Sequence, residues 1–246
     1  MNLIKYYNKD TKTLTIPYTF DDKLNNIPEE TEIIIFDSEC FVNACSKFNK
    51  SVDNLPKNLT HLTFGCHFNQ SVDKLPINLT HLTFGYYFNQ PVDKLPINLT
   101  HLTFGYYFNQ PVDKLPINLT HLTFDENFNQ KVNYLPLSLT HLSIDTYDNN
   151  LINLPENLIY LELGCTKNKT VIIPKSIKEL LIYYEDNLLN NLPEHIEKLG
   201  IVFDENKNNK IITNLPITLK EIIIDNKKYE KYIKIPFGTI LRIDDI

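Results

Sequence analysis

Histidine recurs at intervals of twenty residues, and its imidazole is the repeated side chain best suited to chemistry. The recurring positions are His61, His81, His101, His121 and His141. An imidazole can ligate a metal ion, exchange a proton near neutral pH or form hydrogen bonds with a partner. Each histidine is followed by alternating apolar residues, which predicts a short strand with the imidazole on its outer face. Neighbouring strands lie about 4.8 Å apart, so the five rings would form a ladder.

Several interpretations of this histidine ladder are open. It could be a partner-binding surface, a pH-sensitive patch or a metal site, or a polar strand position copied along with its repeat. A metal ion needs converging ligands, which a flat ladder supplies poorly, so we predict no metal ligands. Of the functional interpretations, we favour a partner surface.

Two tyrosine pairs follow the strands at the point where the chain is expected to turn out of the sheet. Tyrosine is common in protein interfaces because it offers a large contact area at a low cost in side-chain entropy. The predicted partner-binding residues are therefore His61, His81, His101, His121, His141, Tyr86, Tyr87, Tyr106 and Tyr107.

The sequence lacks the motifs that would turn these side chains into a catalytic centre. It has no Gly-rich phosphate loop, no G-x-S-x-G elbow and no H-E-x-x-H pair, and its carboxylates are scattered. We therefore expect no enzymatic activity, no catalytic residues and no cofactor.

The repeated Phe-Asn-Gln motif is interpreted as structural. Its asparagines are expected to hydrogen-bond backbone groups of the next repeat, and its phenylalanines to form a stacked core. A base-stacking role for the rings would need basic neighbours, which are missing. The residues are Asn69, Asn89, Asn109 and Asn129 with Phe68, Phe88, Phe108 and Phe128.

An internal repeat defines the elements that must position all of these residues. Residues 81–100 and 101–120 are identical, and Leu-Pro recurs every 20 residues from Leu55 to Leu135, then less regularly to Leu215. Large apolar residues follow each of these prolines by six and eight places, even in the divergent copies. Each repeat is therefore predicted to be one strand, a turn, an extended return segment and another turn. A single such coil cannot bury its apolar face, so the coils must stack.

The L-x-x-L-x-[LF] run resembles a leucine-rich repeat, and the frame LP.NLTHLTFG..FNQ.V closely resembles the FNIP repeat. The FNIP family, named for a Phe-Asn-Ile-Pro signature, occurs in dictyostelid amoebae and in giant viruses that infect amoebae. The match is strong over residues 48–145 and degenerate over 146–246. We predict a mainly β, leucine-rich-repeat-like solenoid of about ten ~20-residue coils. A parallel sheet would form one face, and extended and turn segments the other.

The expected organisation is a single solenoid domain over residues 1–246. Residues 1–26 would form an N-terminal hairpin cap, 27–145 the regular repeats, and 146–246 the degenerate repeats with a C-terminal cap. The hairpin is expected because two short apolar segments flank the polar turn NKDTKT.

Composition restricts the partners and the location. The net charge of -6 is spread along the chain, which disfavours nucleic acid and membrane surfaces as partners. The N-terminal residues do not resemble a signal peptide, and no apolar run is long enough to cross a membrane. The cysteine spacing fits neither a disulfide framework nor a zinc site, so Cys40, Cys45, Cys66 and Cys165 are expected to be free thiols. We expect a cytoplasmic protein, in the host cytoplasm if the source is viral.

The function that these observations favour is a protein-protein interaction scaffold without chemistry, a monomer or homodimer that binds an unidentified protein. One alternative is a structural, self-associating component, for example of a virus particle. A second alternative is a metal- or ligand-binding protein that uses the histidine ladder.

Overall fold

The computed structural model describes residues 2–37, 45–164, 170–183, 186–189, 192–205 and 210–244. The chain divides into two compact units, Met1–Leu139 and Thr140–Ile246. The boundary falls at the end of the most regular repeats. The single-domain organisation predicted from the sequence stays a prediction.

The first unit contains one sheet whose strands follow one another in chain order. The strands are β1 (Tyr7–Asn8), β2 (Thr13–Ile16), β3 (Ile33–Phe36), β4 (His61–Thr63), β5 (His81–Thr83), β6 (His101–Thr103) and β7 (His121–Phe124). β1 and β2 form the expected antiparallel hairpin, although residues Leu3–Tyr6 form a 3-10 helix rather than extending its first strand. From β2 to β7 the pairing is parallel and in register.

Leucine and phenylalanine columns form the core of the first unit. In register, Leu62, Leu82 and Leu102 are each about 1% exposed. Behind them, two phenylalanines of each coil lie face to face, as in Phe84 and Phe88 with ring centroids 3.7 Å apart. The close stacking leaves no room for side chains at some turns: a Cβ on Gly85 would lie 2.2 Å from the carbonyl oxygen of Gly65. The predicted phenylalanine core is confirmed.

An asparagine ladder joins successive coils of the first unit. The Oδ1 atom of Asn89 accepts a hydrogen bond from the backbone N–H of Asn109 at 2.9 Å and another from the Gln110 side chain at 3.1 Å. The same pair of bonds links Asn69 to the next coil, at 2.9 and 3.0 Å. The structural role predicted for these asparagines is confirmed, although they are half-buried or exposed rather than fully buried.

The second unit repeats the parallel arrangement with less regular connections. Its elements are β8 (His141–Ile144), β9 (Tyr160–Leu163), β10 (Glu179–Tyr183), α1 (Asp186–Leu189), β11 (Lys198–Val202), β12 (Glu221–Ile224), a 3-10 helix (Lys227–Tyr232) and β13 (Ile240–Ile243). All neighbouring pairs from β8 to β13 are parallel. The helical turn α1 was not expected from the sequence. The final strand, β13, leaves most of its side chains exposed. The predicted mainly β solenoid of about ten ~20-residue coils is confirmed.

The cysteines depart from expectation in part. Cys66 is disulfide-bonded, so its predicted free thiol is wrong, whereas Cys45 is a free thiol. Cys40 and Cys165 lie outside the described residues. No helix among the residues that the structure describes is long and apolar enough to cross a membrane.

Candidate functional site

Four of the five predicted histidines stack on one another in the first unit. They open strands β4 to β7 and pair in register, so each ring lies over the next. The ring centroids are 4.2 Å apart between His61 and His81 and 4.1 Å apart at the next two steps, with interplanar angles of 12–13°. The rings are half-buried, on the outer face of the sheet as predicted. We call His61, His81, His101 and His121 the histidine stack.

A threonine before each histidine fixes the orientation of the ring. The hydroxyl of Thr80 donates to the carbonyl oxygen of Thr60 at 3.1 Å and lies 2.9 Å from Nδ1 of His81. A hydroxyl has one proton, so its oxygen must accept from Nδ1–H, which places the imidazole lone pair on Nε2. The same two contacts recur at Thr60, Thr100 and Thr120. The neutral stack therefore holds one tautomer throughout, and any added proton must go to Nε2.

The stack also disfavours the charged form of His81. Desolvation, followed by repulsion from His61, His101 and His121, lowers the pKa of His81 to about 4. The neutral imidazole is consequently the form present near neutral pH at this position. The surface presents hydrogen-bond acceptors there rather than positive charge.

The arrangement of the stack is unlike that of a metal centre. Nearly parallel rings direct their Nε2 lone pairs in parallel, whereas a bound ion needs donors that converge on one point. Within the described ranges, no group of three or more histidine, cysteine, aspartate or glutamate side chains could hold a metal ion.

The predicted tyrosines come together in a single cluster. Tyr86 stacks on Tyr106 at 4.8 Å and Tyr87 stacks on Tyr107 at 5.3 Å, while Tyr86 meets Tyr87 edge to face at 4.9 Å. Tyr87 and Tyr107 are 44% and 45% exposed. Partial desolvation, with Tyr107 and Tyr106 alongside, raises the pKa of Tyr86 above its ordinary value. These four residues, which we call the tyrosine cluster, offer an exposed aromatic surface held rigid by its own ring contacts.

The fifth predicted histidine belongs to the second unit. His141 opens β8 and stacks on Tyr160 of β9 with ring centroids 5.8 Å apart. The same strand position then continues as Glu179, Lys198 and Glu221. The second unit therefore presents a chemically different outer column.

Sequence reasoning missed two features of the first unit. One is the threonine that fixes each ring, for which the repeated Thr-His pair was the available signal. The other is a row of exposed aliphatic side chains next to the Leu-Pro turns, signalled by the repeated apolar residue after the proline. We call this the aliphatic row: Ile77, Ile97, Ile117 and Leu137, which are 58%, 50%, 69% and 74% exposed.

A stack of short parallel strands with a ~20-residue spacing defines a leucine-rich-repeat-like solenoid. The giant-virus protein CroV588, a circular leucine-rich-repeat protein, has a similar crystal structure: 29% identity over 94% of this chain, with a TM-score of 0.67. The chain spans 39% of the length of CroV588.

The particular repeat is the FNIP repeat, whose family model matches residues 68–94, 88–114 and 108–145. Residues 68–145 carry FNIP repeats, which confirms the identification of the repeat from the sequence. This solenoid fold is typically non-catalytic.

Two more distant structures also match. YopM from Yersinia enterocolitica has 13% identity over 98% of this chain and 75% of its own, with a TM-score of 0.32. A leucine-rich-repeat protein from Bacteroides ovatus has 14% identity over 94% of this chain and 84% of its own, with a TM-score of 0.23. No curated protein sequence matches the chain.

Proposed function

We propose that this chain is a protein-protein interaction scaffold and that its first unit binds a partner protein through the tyrosine cluster and the histidine stack. Binding would proceed by surface complementarity, without catalysis, metal or cofactor. Repeat solenoids commonly bind proteins, which supports the general class. The observation on which the specific proposal depends is the exposed, ring-packed tyrosine cluster.

The tyrosine cluster has the properties of an interface anchor. Each ring has at least two neighbouring tyrosine rings that restrict its rotation, so little side-chain entropy is lost when a partner binds. Exposed aromatic rings supply both apolar contact area and a hydroxyl that can hydrogen-bond. Rings that are held in place before binding are the kind of residue that dominates binding energy in protein interfaces.

The histidine stack adds directional recognition. Because Nδ1 of each ring is hydrogen-bonded to a threonine hydroxyl, a partner would contact the neutral ring at Nε2, which is a hydrogen-bond acceptor. The partner that fits this surface offers hydrogen-bond donors, such as side-chain amides, hydroxyls or an extended backbone. Near neutral pH His81 presents an acceptor, and its protonation at low pH would convert that acceptor to a donor and weaken binding.

Affinity capture with matched variants tests this proposal. The full chain would be immobilised as wild type and with Tyr86, Tyr87, Tyr106 and Tyr107 replaced by Ser, and proteins from the native host would be quantified by mass spectrometry. A protein that depends on the cluster should be retained at least tenfold less by the quadruple variant, which corresponds to about 1.4 kcal/mol. The replacement of Tyr18 and Tyr134, which are exposed elsewhere in the same unit, is the control.

Two outcomes would contradict the proposal. One is capture of the same proteins in the same amounts by wild type and by the quadruple variant, provided that both give the same far-UV circular dichroism spectrum. The other is an equal loss of capture with the Tyr18 and Tyr134 control, which would indicate non-specific retention by exposed aromatic rings.

A second candidate function, self-association as a structural component, is favoured by the aliphatic row. Its four side chains lie on successive coils and are at least half exposed. Exposed aliphatic rows of this kind are candidates for burial against another protein, here a second copy. Sedimentation velocity over a wide concentration range tests this alternative. Assembly that disappears when Ile97 and Ile117 become Ser would favour it, and a monomer at all concentrations would exclude it.

A further inference from the structure

The outer face of the second unit contains a depression that is formed by a glycine in the middle of a strand. Gly200 lies in β11 between Leu181 of β10 and Ile223 of β12, in register with both. Those neighbours project half-buried aliphatic side chains, whereas Gly200 has none. A glycine inside a strand weakens the strand and often marks a point of close approach by another molecule.

The depression is a pocket of about 140 Å³. Leu181, Gly200 and Ile223 form its apolar part, and Tyr160, Glu179 and Lys198 surround it. The Leu181 side chain leans across the glycine, because a Cβ added at Gly200 would lie 2.4 Å from Leu181 Cδ1. A side chain at position 200 would therefore push the end of Leu181 aside and change the shape of the pocket.

The size of the pocket suits one side chain rather than a cofactor. Small-molecule sites usually enclose about 300–1000 Å³, and this pocket is smaller. An apolar cavity of about 150 Å³ accommodates a benzene molecule, which is close to a leucine, methionine or phenylalanine side chain. In protein interfaces, anchor residues insert into surface pockets that become desolvated on binding.

The charges around the pocket are predominantly acidic. Lys198 is shared between two carboxylates, 3.5 Å from Glu179 and 3.7 Å from Glu221. Arg242 is already engaged by Glu221 at 3.0 Å and by Asp244 at 3.3 Å. The Glu179 side chain is 45% exposed and can accept a further cation.

Glu162 extends the acidic side of the pocket across β9. It accepts a hydrogen bond from the Tyr160 hydroxyl at 3.1 Å. Desolvation, followed by the charges of Glu162 and Glu179, raises the pKa of Tyr160 above its ordinary range. The local field at this side of the pocket therefore favours a positive charge.

We infer that the Gly200 pocket is a docking site for a partner polypeptide that inserts one aliphatic or aromatic side chain and places an adjacent lysine or arginine against Glu179. The apolar anchor supplies the affinity, and the basic neighbour supplies the orientation and the electrostatic attraction. This site lies wholly within the second unit and does not depend on the surface proposed for the first unit.

Selection from a random peptide library displayed on phage tests this inference on the full chain. Enriched peptides should share Leu, Met or Phe with Lys or Arg within two positions. The most enriched sequence would then be synthesised with a fluorescent label, and its dissociation constant would be measured by anisotropy. Selection of peptides without an apolar residue, or no enrichment at all, would overturn the inference.

Variants that alter the pocket show whether the selected peptide binds there. Gly200→Val should raise the dissociation constant about 30-fold, as expected for the loss of an interface anchor. Thr103→Val is the control, because it places the same side chain at the corresponding strand position of the first unit. Equal affinities for wild type and the folded Gly200→Val variant would contradict the docking site.

A second pair of variants covers the case in which Gly200→Val does not fold. Leu181→Ala should enlarge the pocket and shift the preference from a Leu anchor towards Phe or Trp, and Glu179→Lys should weaken peptides with the basic neighbour at least tenfold. An unchanged anchor preference would count against the pocket. The quadruple tyrosine variant should bind the peptide as wild type does, so failure here is distinguishable from failure of the function proposed for the first unit.

Discussion

At the scale of single residues, the histidine stack makes stability depend on pH. The pKa of His81 in the folded chain, about 4, lies below the ordinary value near 6.5. The unfolded chain therefore binds more protons between these values, and the free energy of unfolding should decrease as the pH falls from about 6.5 towards 4. Adjacent charged rings at this spacing repel by on the order of 1 kcal/mol in water.

Replacing His81, His101 and His121 by Thr should remove much of this pH dependence and leave stability at pH 7.5 nearly unchanged. The measurement is the free energy of unfolding in urea at several pH values from 7.5 to 4. His195→Thr, a histidine of the second unit that contacts the Pro174 carbonyl oxygen, is the control. If the free energy of unfolding changes with pH in the same way for wild type and the triple variant, the stack does not cause the pH dependence.

The asparagine ladder gives a second prediction at this scale. Asn89→Ala removes an oxygen that accepts two hydrogen bonds from the next coil, so it should cost about 1–2 kcal/mol. Asn127, an exposed asparagine of the same unit, supplies the control substitution by Ala. Urea denaturation of both variants provides the measurement, and equal losses would mean that the ladder contributes nothing beyond an ordinary surface amide.

The role of a residue could be predicted where a local rule determines its position, and could not be predicted where contacts between different coils determine it. The outward histidines and inward leucines followed from the two-residue period of a strand, which is a local rule. The role of Thr80 did not follow, because its hydroxyl acts on a carbonyl oxygen of the preceding coil and on the next residue's ring at once. The pocket at Gly200 likewise depends on residues from four different strands.

At the scale of elements, a strand inside the stack should contribute more to stability than one at its edge. Leu102 in β6 is 1% exposed and lies between two other leucines, so Leu102→Ala should cost roughly 2–5 kcal/mol. Leu241 in β13 is half-buried and pairs with β12, so Leu241→Ala should cost less. Denaturant unfolding of both variants checks the difference, and equal costs would contradict the larger contribution expected of a strand with two neighbours.

Strand prediction succeeded along the repeats of both units, whereas the connections between the degenerate repeats could not be predicted. Strands β4 to β8 start at His61, His81, His101, His121 and His141, as the 20-residue period requires. In the second unit the connections vary in length, and the helical turn Asp186–Leu189 lies in one of them. A four-residue helix has no periodic apolar pattern to reveal it, because its formation depends on packing rather than on sequence.

At the scale of the whole molecule, the two units share the same kind of repeat fold but present different side chains on their outer faces. The first unit presents stacked imidazole and tyrosine rings, and the second presents charged side chains around the Gly200 pocket. The fold could be predicted from the sequence because burial of a repeated apolar frame determines it. The partner could not, because a binding surface is specified by complementarity to another molecule whose shape the sequence does not contain.

Hydrogen-deuterium exchange of the full chain, alone and with the captured partner, tests the central claim most directly. Binding through the tyrosine cluster and histidine stack should slow amide exchange at residues 81–87 and 101–107, while the aliphatic row at Ile97 and Ile117 exchanges as in the free chain. Protection confined to the aliphatic row, or unchanged exchange throughout the first unit under saturating partner, would contradict the proposed function.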